Sequence, residues 1–175
     1  LLRIYKNASH MRTLISELLD FRKQEQGYLK LKVECRDIVA FTKEVYMSFY
    51  EYALKHHIAY RFETSEPSIN LWFDPVQMQK VIINLLSNAF KYTPAEGNIT
   101  VSIRMHSQQV LLQIKDSGTG IPQESIHKIF DQFYQIDGQR SNLSLGTGIG
   151  LTLSKNIVEL HKGNIRVESK VDEGS

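Results

Sequence analysis

Cysteine is almost missing from this chain. Cys35 is the only one, which excludes an internal disulfide and fits a reducing compartment. Its place at the end of the alternation Leu29, Leu31, Val33, Cys35 suggests a small buried hydrophobe rather than a nucleophile. No stretch approaches the ~20 consecutive apolar residues that span a bilayer, and no signal peptide is visible. Neither sign of charge is in excess: 21 basic against 19 acidic residues give a net charge of +2. That balance leaves no footprint for nucleic acid or an anionic membrane. Internal repeats and low-complexity tracts are also lacking. His56, His57, His106, His127 and His161 show no metal-ligand spacing and read as surface or satisfied residues. What remains is 175 residues with 42% hydrophobic content, enough for one core and an appendage.

The hydrophobic pattern divides the chain. Over residues 1–26, Ile4, Ala8, Met11, Ile15 and Leu18 recur in steps of four and three, widened by Leu14, Leu19 and Phe21. This is an amphipathic helix that cannot bury its own stripe and needs partner helices, unless it folds back on the rest of the chain. Gly27 is placed to stop it. Tyr28 to Cys35 alternates as a strand, and Asp37 is placed to cap a helix running to about His57. Ala59–Thr64 and Ile69–Phe73 read as strands. Asp74-Pro75 makes an N-cap with proline at the first helical position. Ile99 to Met105 and Val110 to Asp116 form a hairpin through His106-Ser-Gln-Gln109, and Asn164 to Lys170 is a last strand. Helices and antiparallel strands in this order predict a two-layer α/β sandwich.

Four segments carry the chemistry. After Asp74-Pro75, a helical spacing of about 100° per residue gathers Gln77, Lys80, Asn84, Asn88, Lys91 and Tyr92 on one side. Met78, Ile82, Leu85, Leu86 and Ala89 take the other. Asn is a poor interior helix residue, so two of them one turn apart call for a reason. Amide oxygens suit Mg²⁺, which takes further oxygens from phosphates, and Lys91 could meet a phosphate. A solvated helix face is the plain alternative. Val110, Leu112, Ile114 and Asp116 share a parity, so the carboxylate points with the core residues and requires a partner. An adenine amino group would serve, with Gly118 and Gly120 letting the backbone approach a flat ring. An ordinary Asp-Ser-Gly turn is the competing reading. Finally, Gly146-Thr147-Gly148-Ile149-Gly150-Leu151 opens a helix over Thr152–His161 that stops at Lys162-Gly163, and free N–H groups at such a start attract anions. The apolar-aromatic Ile129 to Tyr134 and the polar Asp137 to Asn142 lie between the two glycine segments, as a mobile lid or a loose loop would.

In order and spacing, these segments resemble the N box, first glycine box, F box and second glycine box of histidine kinase catalytic domains, within the gyrase, Hsp90, histidine kinase and MutL ATP-binding superfamily. The resemblance covers about residues 70–170. Leu18-Leu19-Asp20-Phe21-Arg22-Lys23 with Gly27 resembles the end of the kinase dimerisation helix, and with Asp37-Ile38-Val39 is similar to large hybrid two-component sensors of Bacteroides-type bacteria. The implied organisation is a partial second dimerisation helix over 1–27 and an ATP-binding catalytic domain over 28–175, whose family usually continues into one more strand.

By the same resemblance, Asn88 would bind Mg²⁺ and Asn84 would support metal and phosphates. Lys91 and Tyr92 would contact the nucleotide, and Asp116 would read the adenine amino group beside Gly118, Gly120 and Ile121. Gly146, Thr147, Gly148, Ile149, Gly150 and Leu151 would form the lid hinge and phosphate loop, with Arg140 a looser candidate for the γ-phosphate. ATP-hydrolysing members of the superfamily place a Glu where this chain has Asn84. An amide cannot act as a general base, so phosphoryl transfer to a separate nucleophile is the better reading. Ser9-His10-Met11-Arg12-Thr13 is a poor echo of the phosphoacceptor motif, and the acceptor histidine is expected outside this chain. The implied partners are a second copy through the N-terminal helix, the dimerisation-domain histidine and a response-regulator receiver domain. The implied setting is the cytoplasmic part of an inner-membrane sensor. The competing functions are a hydrolysing ATPase of the superfamily and a dimerisation module without nucleotide affinity.

Overall fold

The structure, a computed structural model, describes Met11, Ile15, Leu18, Leu19, Arg22, residues 29–136 and residues 147–175. The first five are helical, and Met11, Ile15, Leu18 and Leu19 expose their side chains. Ile4, Ala8, His10, Leu14, Phe21, Gly27, Asp137 to Asn142, Arg140 and Gly146 lie outside the described residues. No described helix is long and apolar enough to cross a membrane.

The globular part runs β1 (Glu34–Asp37), α1 (Ile38–Met47), α2 (Tyr50–Lys55), β2 (Ala59–Thr64), β3 (Asn70–Phe73), α3 (Pro75–Tyr92), β4 (Asn98–His106), β5 (Gln109–Asp116) and α4 (Gly150–Leu160). Its main sheet has the order β2-β4-β5, and β1 pairs with β3 in a separate ribbon. The two-layer α/β arrangement expected from the pattern is present. Ile38, Phe41 and Val45 of α1 and Ile82 and Leu86 of α3 pack with Val101 and Ile103 of the sheet in one cluster. Phe90 and Ala89 extend that layer onto Ile99 and Ala53. A second contact forms behind α3, where Val81 meets Leu153 and Ile157 of α4. Thus α3 is held from two directions.

Several local expectations are corrected. Of the strand expected over Tyr28 to Cys35, in which Tyr28 lies outside the described residues, the part observed is Glu34–Asp37, whose only partner among the described residues is the four-residue β3. The backbone N–H of Lys32 instead donates to Asp74 Oδ2 at 2.8 Å. Cys35 is exposed rather than buried: it stands opposite Trp72, itself 69% exposed, on the outward face of the ribbon. The helix expected to reach His57 breaks after Met47. There the Ser48 hydroxyl donates back to Val45 O at 2.6 Å, and α2 starts afresh at Tyr50. β2 pairs with β4 in parallel, not antiparallel, since the ribbon strand and α3 between them form a crossover. Asn164 to Lys170 has no strand ladder, only a Lys170–Gly174 bridge. This segment and the residues after it bond to the turn following β5 instead, through Ile121 N–H to Ser169 Oγ at 2.8 Å and Asp172 N–H to Thr119 O at 2.9 Å.

Both expected aspartate caps are made. Asp37 Oδ1 accepts from Val39 N–H at 2.9 Å and from Ile69 N–H at 3.0 Å, tying α1 to the start of the ribbon strand. Burial pushes this carboxyl up, but the bonds from Ile69, Val39 and Ser68 together hold it below its ordinary value. Asp74 caps α3 through Gln77 N–H at 3.1 Å, with Pro75 in the first turn.

Candidate functional site

α3 carries Asn84, Asn88, Lys91 and Tyr92 toward two neighbours. At its middle, Asn84 is half-buried against α4: its Nδ2 donates to Ser154 Oγ at 2.9 Å, and Gly150 packs on the amide. One turn on, Asn88 is half-buried, and its side chain makes no hydrogen bond to another described residue. At the end of the helix, Lys91 Nζ lies 5.0 Å from the centre of the Tyr92 ring, a cation over a π face. The Tyr92 carbonyl accepts from Thr119 N–H at 3.3 Å. The polar side of α3 is therefore bounded at one end by the helix start of α4 and at the other by the turn after β5.

That turn is shaped by Asp116. As its parity demands, Asp116 is half-buried together with Val110, Leu112 and Ile114. Its Oδ1 accepts from Gly118 N–H at 2.8 Å, and its own N–H donates to Ser175 O at 2.8 Å. Burial raises the carboxyl above its ordinary value, outweighing the opposing bonds with Gly118 and Ser175. A side chain at Gly118 would lie 2.6 Å from the Tyr92 carbonyl, so the turn closes on α3 only because that position is bare. Gly120 has φ +67° and lies against Lys170, a conformation and a space that both exclude other residues.

The second glycine segment meets the aromatic stretch. Gly148, at φ +69°, packs on Phe133, whose N–H donates to the Gly148 carbonyl at 2.9 Å. Thr152 Oγ1 donates to the Phe130 carbonyl at 2.9 Å, and Tyr134 OH to Ser125 Oγ at 3.0 Å. Phe133 itself is 62% exposed. Thr147 Oγ1 accepts from Ile149 N–H at 3.1 Å, Ile149 is buried, and Leu151 is half-buried. Among the described residues no side chain caps the first turn of α4, so its backbone N–H groups are a local source of positive charge.

Two of the described candidate segments thus meet α3: Gly150 packs on Asn84, and Gly118 lies against the Tyr92 carbonyl. Surface hollows of 390 and 620 Å³ lie elsewhere, the first beside Arg36 and Pro75 and the second beside Tyr46 and Tyr60, and neither takes in Asn84, Asn88 or Asp116. Pattern reading overlooked Ser154, Ser169 and Thr152, whose hydroxyls hold Asn84, Ile121 and the Phe130 carbonyl. The available signal was a pair of hydroxyl residues within a helix whose Leu153 and Ile157 are core. Pattern reading also missed Val81 as a buried residue, because α3 has a second packed side.

Comparison with known proteins identifies the family and the fold. Residues 73–175 match the family described as histidine kinase-, DNA gyrase B-, and HSP90-like ATPase. The chain is 43% identical to Histidine kinase P4 of Formosa agariphila over 100% of its own length and 13% of that protein, so it spans a small part of this relative. Its fold is similar to that of the Acinetobacter baumannii histidine kinase AdeS, with a TM-score of 0.80 at 23% identity over 98% of this chain and 78% of the other. It is also similar to histidine kinase ThkA, solved in complex with the response regulator protein TrrA, with a TM-score of 0.76 at 26% identity over 98% of this chain and 46% of that one. The chain belongs to the histidine kinase-, DNA gyrase B- and HSP90-like ATPase family, as a catalytic domain of the histidine kinase type.

Proposed function

We propose that this domain binds ATP with Mg²⁺ along the polar side of α3 and passes the γ-phosphate to a histidine on a dimerisation helix, as part of a two-component sensor. The single observation that carries the reading is the enclosure of α3's polar side by the Asp116 turn and the uncapped start of α4. Asp116 would accept the adenine amino group, with Gly118, Gly120 and Ile121 forming the floor for the ring. Lys91 and Tyr92 would contact the nucleotide, and Gly146 to Leu151, with Arg140, the phosphates.

Magnesium fits the donors that are present. No group of three His, Cys, Asp or Glu able to hold a metal occurs among the described residues, so a resident ion is not the model for this site. The Asn88 carboxamide is a hard neutral donor with no competing protein bond among the described residues, which suits an ion that arrives on phosphates with its waters. Asn84 would act beside it. When bound, the ion would neutralise phosphate charge, while the chain supplies position and oriented N–H groups. An amide at Asn84 cannot deprotonate water, which favours transfer over hydrolysis.

The reading extends to a parent that dimerises through the N-terminal helix, signals to a response-regulator receiver domain and keeps this domain on the cytoplasmic side of an inner membrane. The complex of ThkA with TrrA supports the receiver as a partner. The test is to mix the domain with γ-labelled ATP and a separately prepared dimerisation helix pair of the parent. Acid-labile label on histidine is expected. Steady release of free phosphate with no labelled histidine would favour the hydrolase instead.

A further inference from the structure

Two separate contacts converge on the Asn84 side chain. Its amide nitrogen donates to Ser154 Oγ at 2.9 Å, and Ser154 is only 2% exposed. On its other side, a Cβ placed on Gly150 would overlap Asn84 Oδ1 and lie 3.0 Å from Cγ. The carboxamide is thus held at both ends, by a hydroxyl one turn into α4 and by bare backbone at the start of that helix. A buried hydroxyl is costly without a partner, and an apolar residue would suit a helix flanked by Leu153 and Ile157. The serine therefore has a local use, and the use on the page is the Asn84 amide.

The two ends of a carboxamide have opposite polarity. Rotated by half a turn, Asn84 would aim donor hydrogens where it now aims an acceptor, and beside phosphates that exchange reverses the sign of the interaction. We propose that Ser154 is a positioning residue for nucleotide binding: its hydroxyl, bonded to the Asn84 amide, holds that side chain against the glycine-bearing start of α4 and so couples α3 to α4. This rests on reading the polar side of α3 as a nucleotide site.

The test is equilibrium binding of a fluorescent ATP analogue to the full chain at saturating Mg²⁺, with melting of the nucleotide-free protein measured alongside. Ser154→Ala is expected to weaken binding roughly five- to tenfold, the worth of one well-placed hydrogen bond. In an Asn84→Ala background the same substitution is expected to add nothing, because its effect passes through that amide. Should Ser154→Ala fold poorly, Ser154→Cys fills the same space with a weak acceptor and carries the same expectation. Wild-type affinity in Ser154→Ala, or a loss that adds in full to that of Asn84→Ala, overturns the proposal while leaving the nucleotide site intact. A wild-type chain that binds no nucleotide overturns both.

Discussion

The backbone N–H of Asp74 donates to His161 Nε2 at 2.9 Å, joining residues 87 positions apart. Because Nε2 accepts, the proton of the neutral ring belongs on Nδ1, which lies 2.7 Å from the Ile157 carbonyl and donates to it. The ring therefore bridges the last turn of α4 and the first residue before α3. Asp74 meanwhile caps α3 and accepts from Lys32 N–H. The N-terminal approach, the helix bearing the asparagines and the helix behind it all meet at one buried residue, 4% exposed.

Removing that bridge has a defined cost. His161→Ala leaves the buried Asp74 N–H without its acceptor and is expected to lower stability by about 1–3 kcal/mol. Urea unfolding of the nucleotide-free domain measures it. A variant as stable as the parent would show that the bridge contributes nothing.

Thr42 presents the opposite case. It is fully buried at 0% exposure in the α1 core, and its Oγ1 has no hydrogen-bond partner among the described residues. Thr42→Val keeps the shape and removes the unpaired hydroxyl. Stability should stay level or rise by up to about 1 kcal/mol in the same unfolding experiment. A loss of that size would mean the hydroxyl has a role the packing does not reveal.

Asp116 links pH to stability and, on the proposed function, to ATP binding as well. Its carboxyl is raised above 3.8 by burial, so the folded domain holds that proton more tightly than the unfolded chain. The resulting stability is full below the ordinary carboxylate range and is lost as pH rises through the raised folded value. Asp116→Asn removes this dependence, and the nucleotide-free variant should melt at least as high at neutral pH. Adenine recognition has the reverse requirement, because it needs the ionised carboxylate. ATP affinity is expected to fall as pH drops through the raised value, and to fall roughly 10- to 100-fold in the Asn variant. Titrations across pH 4 to 7, about the range in which carboxylates with raised values ionise, check both directions.

Gly120 tests the geometry of the turn. Its φ of +67° is strained for any residue with a Cβ, and that Cβ would lie 2.7 Å from the Lys170 carbonyl carbon. Gly120→Ala should cost about 2–4 kcal/mol, combining left-handed strain with displacement of the Lys170 backbone. Melting temperature reads the outcome, and an unchanged value would contradict the packing described for the C-terminal segment.

Local chemistry was legible in the sequence wherever one residue type has one strong reason to be where it is. Asp74-Pro75 announced the start of α3, and the parity of Val110 to Asp116 placed the carboxylate with the core. Relations between distant segments were not legible. Nothing local tells β2 to run parallel to β4, since that follows from how the crossover through α3 packs. Cys35 had the alternation of a buried strand but ended in a ribbon with only one covered face. The break at Ser48 depends on a hydroxyl turning back to Val45, and serine offers that option at every helical position without always taking it. Ser154 looked like an ordinary helix residue until Asn84 stood beside it.

The central claim is the proposal that Asn88 and Asp116 together hold one Mg²⁺-bound ATP beside α3. Calorimetric titration of ATP into the parent, Asn88→Ala and Asp116→Ala, with Mg²⁺ and with chelator, tests it directly. The account predicts saturable binding by the parent that requires Mg²⁺ and prefers adenine to guanine. It also predicts that Asn88→Ala loses the Mg²⁺ dependence and Asp116→Ala the base preference, each with the fold intact. Undiminished, Mg²⁺-dependent and adenine-selective binding by both variants would contradict it.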